Sequence, residues 1–460
     1  MANYRTENPA TGEVEKTFDE LDRDGALAAV EKAHTAYETW RQTSPHDRAQ
    51  VLRRTAELYD ERADELARAI AVEMGKPMRE AKGEVKLSGS IYGWYAEHGP
   101  DLLEDEELDA QGALRSVVRK EPVGVLLGVM PWNYPYYQVA RFAAPNLMLG
   151  NTILLKHAGI CAASSSLIEE VLRDAGLLEG GYINLFASSK LIPDVIADPR
   201  VQGVSLTGSE AAGASVAEAA GKNLTKSVLE LGGSDPMVVL DAADVGTMAK
   251  VAARARLSNC GQACNSPKRM FVDDAIYDDF VDALTQEVEK ATVGDPTDEA
   301  TRVGPMSSKD ARDDLDEQVR DAVSKGATVR TGGKPLDRPG SFYAPTVLTD
   351  LTPKMRAWSE ELFGPVAMVY RVSDADEAVR LANESSFGLS GSVWSDDPEK
   401  AAEVAARLDV GMAFVNEHGT TLPGLPFGGV KRSGYGRELS KEGMNEFVNR
   451  KLVRVAATKK

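Results

Sequence analysis

From Pro122 onward, short apolar runs alternate with helical stretches, and this alternation restricts the fold more than any other feature of the chain. Residues 123–130, 152–155, 183–186, 201–206 and 228–231 read as strands, separated by helices near 135–149, 162–175, 189–197 and 209–221. Apolar strands joined through helices imply a parallel sheet covered on both faces. The pattern resumes after Pro236 with strands at 237–240 and 269–272, a helix reaching about Asn259, and another near 276–291. It continues to 391–394 and 410–415, so a second α/β unit is expected. No linker or low-complexity tract divides the two, which predicts close packing with a cleft between them. The first 100 residues read as helical. Leu27, Val30, Tyr37 and Trp40 share one face, Pro45 opens a second helix that carries Leu52, Leu58, Leu66 and Ile70, and Gly75-Lys76-Pro77 stops it. A further helix is expected to end at Gly99-Pro100, and 114–120 to form a strand at an edge or arm.

Charge excludes several partners. With 53 basic and 71 acidic residues the net charge is −18, a field that disfavours nucleic acid and anionic membranes. No run approaches the roughly 20 apolar residues of a membrane span, and Met1-Ala2-Asn3-Tyr4-Arg5 lacks the apolar core of a secretory signal. Three cysteines are too few for a disulfide framework, so a reduced, cytoplasmic setting is expected. The acidic excess, densest at Glu104-Asp105-Glu106-Glu107, reads as a solvated surface or as adaptation to high salt.

The candidate chemistry centres on Asn259-Cys260-Gly261-Gln262-Ala263-Cys264, where a helix gives way to a strand. A cysteine there can be a nucleophile, a small core residue or half of a redox pair. As a nucleophile it needs activation, because a free thiol is only a few per cent thiolate at neutral pH. The five histidines form no metal-ligand spacing. Glu230 stands alone at the end of an apolar strand, followed by Gly232 and Gly233, which allow close approach; it can be a general base or a surface carboxylate. Asn133, in Pro131-Trp132-Asn133-Tyr134-Pro135, sits at a strand-to-helix turn from which an amide can stabilise an oxyanion. Thr207-Gly208-Ser209, with Gly213 a turn later, can offer N–H groups to a pyrophosphate, although it is not the six-position dinucleotide fingerprint.

Together with Lys156, Glu361-Leu362-Phe363-Gly364-Pro365 and Pro426-Phe427-Gly428-Gly429-Val430-Lys431, these segments resemble the aldehyde dehydrogenase superfamily, in order and over nearly the whole chain. The resemblance implies a Rossmann-like NAD(P)-binding domain from 1–100 and 122–231, and a catalytic α/β domain from 232–425. It also implies oligomerisation segments at 101–121 and 440–460, and hence a homodimer or homotetramer. It assigns Cys264 as nucleophile, Glu230 as the base for hydrolysis, and Asn133 with the Cys264 N–H as oxyanion donors. Lys156 would contact the adenosine ribose, Trp132 and Ser209 the pyrophosphate region, and Thr207, with Gly208, the nicotinamide side. Glu361 would hold the nicotinamide ribose, with Phe363 beside the ring and Leu231 also lining the cofactor site. No metal is implied.

Lys156-His157-Ala158 and Leu231-Gly232-Gly233-Ser234-Asp235-Pro236 resemble the succinate-semialdehyde dehydrogenase branch. Arg141, on the helix after Asn133, matches the arginine that takes the distal carboxylate there, with Phe427 also at the substrate; an inter-domain salt bridge is the alternative. A second arginine of some of these enzymes is Ser258 here. Gly159 stands where many NAD-preferring relatives carry glutamate, so both NADP and NAD are expected, with a lean to NADP; His157 would assist a phosphate or merely pack. The expected reaction is oxidation of succinate semialdehyde to succinate. Another small aldehyde is the alternative substrate, and thioester transfer to CoA or a non-catalytic structural role are the competing functions. Cys260 is either an inert spacer or a redox partner of Cys264.

Overall fold

The computed structural model describes residues 4–457. The first three positions of the expected 1–100 segment and the last three of 440–460 lie outside them. A short antiparallel pair, Arg5–Glu7 with Val14–Thr17, opens the stretch expected to be helical, and helices α1 (Arg23–Trp40), α2 (Pro45–Glu61), α3 (Ala63–Met74) and α4 (Met78–Leu102) then precede the large sheets. Asp22 and Ser44 accept a first-turn N–H at the starts of α1 and α2. Gly75, at φ +82°, ends α3 as a left-handed cap. The segment expected as one helix from Pro45 to Gly75 is broken at Arg62. The stop expected at Gly99-Pro100 is not there, and α4 runs on to Leu102. Gly99 instead gives room to Met148, whose side chain occupies the space a Cβ would need.

A six-stranded sheet runs in the order Gly434–Tyr435, Lys226–Glu230, Val201–Thr207, Val125–Met130, Thr152–His157, Tyr182–Asn184. All its pairings are parallel except that of Gly434–Tyr435, which is antiparallel to Lys226–Glu230. The apolar run expected from residue 123 begins two residues later, because Gly124 at φ +145° separates it from the strand Ala113–Pro122.

A seven-stranded sheet follows: Thr328–Thr331, Thr346–Thr349, Val366–Val372, Pro267–Asp273, Asp235–Val239, Ser390–Trp394, Met412–Val415. It is parallel apart from its first strand. Val366–Val372, absent from the sequence reading, pairs directly with Pro267–Asp273 inside this sheet. A third, antiparallel sheet joins Val448–Ala456 to Ala113–Pro122 over nine residue pairs, with Glu106–Glu107 at its edge.

The two large sheets point toward each other in a way that places the site. Val125–Met130, Val201–Thr207 and Lys226–Glu230 are parallel neighbours, so the loops after Met130, Thr207 and Glu230 leave one edge together. Asp235–Val239, Pro267–Asp273 and Val366–Val372 are likewise parallel neighbours. Their starting ends receive the loops that carry Gly233, Cys264 and Glu361. Asn133, Glu230 and Cys264 thus lie in loops where the carboxyl edge of one sheet meets the starting edge of the other, the usual place for a ligand in open α/β folds.

Candidate active site

The loop after Met130 continues into helix α5 (Pro135–Leu149), which is buried along its whole length. Asn133 is held from several sides. Its Nδ2 donates to the Gln262 carbonyl at 3.0 Å, and its Oδ1 accepts from Gln138 Nε2 at 3.0 Å. An amide nitrogen carries two N–H groups, so the Gln262 bond leaves one for another acceptor.

The nucleophile loop is tightly wound. Asn259 and Cys260 take left-handed φ values of 52° and 55°, which are strained for residues other than glycine. Gly233 shows why glycine is needed opposite this loop: a Cβ there would lie 2.5 Å from the Cys264 carbonyl oxygen. That carbonyl accepts from Lys268 Nζ at 2.8 Å, and the same ammonium pairs with Glu361 at 3.0 Å. Glu361 also accepts the Gly233 N–H at 3.2 Å, tying the expected ribose carboxylate to both loops. Trp132 and Phe363 meet edge to face with ring centroids 5.7 Å apart.

Cys264 is half-buried, and its thiol is pushed up to about 12 by desolvation, against the pull of Arg141 and Lys268. Glu230 is 1% exposed and its Oε1 accepts no hydrogen bond among the described residues. Burial drives its carboxyl well above the ordinary range, opposed first by Arg141 and reinforced by Glu438. Burial thus favours the neutral form of both groups.

Arg141 lies fully buried where these influences converge. Its Nε is 2.6 Å from Glu438, while its two amino groups reach Tyr137 Oη and Thr207 Oγ1, each at 3.3 Å. Its guanidinium carbon is 4.8 Å and 4.2 Å from the ring centroids of Tyr137 and Phe427. Arg141 does form a salt bridge, but its partner Glu438, not singled out in the sequence reading, accepts from Ser205 of the six-stranded sheet, so the pair is not the inter-domain bridge weighed as the alternative. Lys268 was missed as well, although it lies only four residues beyond Cys264.

Two cavities adjoin the first sheet. An apolar slot of about 110 Å³ is lined by Val129, Ile192, Pro193, Leu206 and Val216. It shares Lys156 and Ser189 with a polar cavity of about 640 Å³ that Tyr4, Gly159, Ser188 and Lys190 complete. Lys156 has no ion pair among the described residues; the nearest ring, that of Tyr4, is 5.8 Å away. A half-buried ammonium, within reach of the Glu20 charge and set between an apolar slot and a polar cavity, suits an adenosine with its phosphates. The slot's flank, the Ser188-Ser189-Lys190 turn, was read only as the start of a helix; the structure has a short 3-10 turn there before Ile192–Ala197.

The remaining expected residues have local roles. Gly208 N–H donates to the Glu230 carbonyl at 2.9 Å, coupling the two loops. Ser209 Oγ caps the helix Glu210–Lys222 by accepting from Ala212. Leu231 donates its N–H to Ser433 and packs its side chain over Gly213. His157 is buried with Nε2 3.1 Å from the Pro135 carbonyl, and burial lowers it to about 4, so it packs rather than facing the cofactor cavity. Cys260 and Cys264 are both free; Cys260 is buried in the core of the larger sheet beside Met306, whereas Cys264 packs against the core of the helical layer.

This chain belongs to the aldehyde dehydrogenase family, which its residues 2–453 match. Among its relatives is a succinate-semialdehyde dehydrogenase [NADP(+)] of Deinococcus radiodurans, 56% identical over 99% of this chain and 95% of that one. A protein of the same name from Mycobacterium avium is 44% identical over 99% of this chain and 97% of its own length. The crystal structure of succinic semialdehyde dehydrogenase from Streptococcus pyogenes, in complex with NADP+ as the cofactor, superposes with a TM-score of 0.96. It is 43% identical and covers 99% of this chain and 100% of that one.

Proposed function

We propose that this chain oxidises succinate semialdehyde to succinate through a thioester on Cys264, with NADP preferred and NAD accepted. Cys264 Sγ attacks the aldehyde carbon, and the oxygen that becomes negative is taken by the free N–H of Asn133 and the backbone N–H of Cys264. The bound nicotinamide would supply the hydride acceptor; Glu361 and Lys268 would fix its ribose, and Lys156, Ser189 and Lys190 the adenosine end. Glu230 takes a proton from the water that attacks the thioester, so carboxylate leaves and the thiol is restored. The presence of Glu230 favours water over CoA as the acceptor and argues against a non-catalytic role.

The observation that carries the substrate assignment is Arg141, a buried guanidinium whose field reaches both Cys264 and Glu230. The names of the relatives point the same way. NADP preference rests on Lys156 and Lys190 facing one cavity without a carboxylate at Gly159 to repel a 2′-phosphate. One observation favours a neutral aldehyde instead: Glu438 already neutralises Arg141. We read 1–100 with 122–231 as the cofactor domain, 232–425 as the catalytic domain, and 101–121 with 440–460 as segments that pair copies into a dimer or tetramer. Exposed Leu114, Leu452 and Val455 on the three-stranded sheet support that pairing. Free thiols suit a reducing cytoplasm, and no helix of the described residues is long and apolar enough to cross a membrane.

Arg141→Ala, assayed on a series of aldehydes with and without a distal carboxylate, tests the assignment. A charge-assisted contact contributes about 1.5–3 kcal/mol, so kcat/KM should fall about 10- to 150-fold on acidic aldehydes alone. An equal fall on neutral aldehydes would assign Arg141 to structure and leave the neutral substrate standing. Repeating the wild-type assay with NAD checks the cofactor order.

A further inference from the structure

Against the Asn133 loop lies a buried charge cluster that the chemistry above does not use. Lys76 and Glu84 are 1% and 4% exposed, and Glu80 is half-buried between them in sequence. Lys76 follows the left-handed cap Gly75, and Glu80 and Glu84 sit one turn apart at the start of α4. Lys76 Nζ pairs with Glu84 Oε2, donates to the Asn133 carbonyl at 2.9 Å, and stands 3.6 Å above the Tyr134 ring. The other oxygen of Glu84 accepts the N–H groups of Tyr136 and Tyr137, at 2.9 and 3.2 Å, which open α5. Glu80 accepts the Asn259 N–H at 2.6 Å, and Asn259 Nδ2 reaches the same Asn133 carbonyl at 2.9 Å and the Gln262 carbonyl at 3.1 Å.

These bonds converge on two loops. Lys76 fixes the carbonyl of Asn133 itself, and Glu84 fixes the backbone three and four residues further on. Glu80 fixes Asn259, the strained residue from which the nucleophile loop is launched. Asn259 then bridges the loops by bonding a carbonyl in each. A buried ion pair is a poor source of stability, since apolar residues of similar volume often replace it without loss. Its distinct contribution is rigidity, because charge-assisted bonds are short and directional. Rigidity is what two oxyanion donors on separate loops require, as a displacement of about 1 Å can lower a rate about 100-fold.

We propose that Lys76, Glu80 and Glu84 are positioning residues, which hold the Asn133 loop and the Cys264 loop in the register that lets both N–H donors meet one developing oxyanion. The proposal rests on the oxyanion reading given above. None of the three needs to touch substrate or cofactor.

Three variants test it. Glu80→Ala removes the acceptor for the Asn259 N–H at a half-buried site. The double variant Lys76→Met, Glu84→Gln neutralises both members of the pair together and avoids a lone buried charge. Asn133→Ala removes the donor itself. Each is read by the rate of the first-turnover burst of NADPH per titratable Cys264, by thermal unfolding, and by NADPH affinity from fluorescence. Burst rates should fall about 10- to 100-fold in Glu80→Ala and in the double variant, with NADPH affinity within about twofold of wild type. A positioning residue acts through Asn133, so Glu80→Ala should cost little more once Asn133→Ala is present, whereas a merely structural loss would add in full. Wild-type burst rates per thiol in Glu80→Ala, or additive losses with Asn133→Ala, would overturn the proposal even if the double variant fails to fold. An unimpaired Asn133→Ala would overturn the oxyanion reading instead, which separates the two failures.

Discussion

At Glu230, burial has a kinetic consequence. A base must be ionised to take a proton from water, and desolvation holds this carboxyl protonated well above its ordinary range. The sign follows directly: raising pH through the elevated pKa creates the active carboxylate, so the hydrolysis step should accelerate with pH. Cys264 titrates in the same direction, because burial also favours its thiol form and attack needs the thiolate. The two limbs separate by step. The NADPH burst reports attack by Cys264, whereas steady turnover under saturating substrate reports hydrolysis when that step is slower. Glu230→Gln should lower steady turnover at least about 100-fold, abolish its pH-dependent rise, and leave the burst. A burst lost along with steady turnover would move Glu230 to the first step. At this scale the sequence draws attention to a residue where a motif surrounds it, as with Cys264, Glu230 and Asn133. Lys76 shows the opposite case. Gly75-Lys76-Pro77 reads correctly as a helix stop, yet nothing local reveals that its lysine ends beneath a carbonyl 57 positions away. Glu438 is hidden in the same way, since its partner Arg141 lies on a helix in the first half of the chain.

Among the elements, the sequence reads well where local pattern and tertiary demand agree. The strands at 125–130 and 152–157 are buried almost throughout, and 201–207 and 226–230 are buried over 203–207 and 228–230, so each shows at least a short apolar stretch. Their order in the sheet follows from helices that carry the chain from one parallel strand to the next. Boundaries fail where a backbone choice depends on a distant neighbour. Gly99 resembles a terminator only until Met148 is seen filling its missing side chain. Arg62 divides α2 from α3 without glycine or proline, and its guanidinium then bridges Glu65, Glu170 and Asp174, two of them far along the chain. Thr346–Thr349 is too short for any periodicity, and its place beside Val366–Val372 is set by pairing alone. The strain at Asn259 and Cys260 had no sequence signal either, since neither residue is a glycine. It is tolerable because Glu80 and Asn133 hold the loop from outside and the Gln262 carbonyl holds Asn259 from within it.

For the molecule as a whole, the sign of the salt response depends on whether paired or unpaired charge dominates. Much of the acid is paired. Even the dense run at Glu104–Glu107 is matched, with Asp105 on Arg115 and Arg119, Glu106 on Arg450 and Glu107 on Arg115. These pairs are exposed, so each contributes little and salt weakens them. Pairing cannot cancel a net charge of −18, however, and the excess repels itself over the whole surface. At about 0.1 M salt the screening length is about 10 Å, long enough for neighbouring carboxylates to repel, and at 1 M it is about 3 Å. Screening therefore removes more repulsion than attraction, and the thermal midpoint should rise from about 0.05 to 1 M potassium chloride. The apo and NADP-bound forms should rise together if surface repulsion is the cause. Chloride is the salt to use, since sulfate stabilises by exclusion whatever the charge, and an uncharged osmolyte at equal osmolality serves as control. A midpoint that stays flat or falls in chloride would mean that the exposed pairs, rather than the unpaired carboxylates, set the electrostatic balance of this fold.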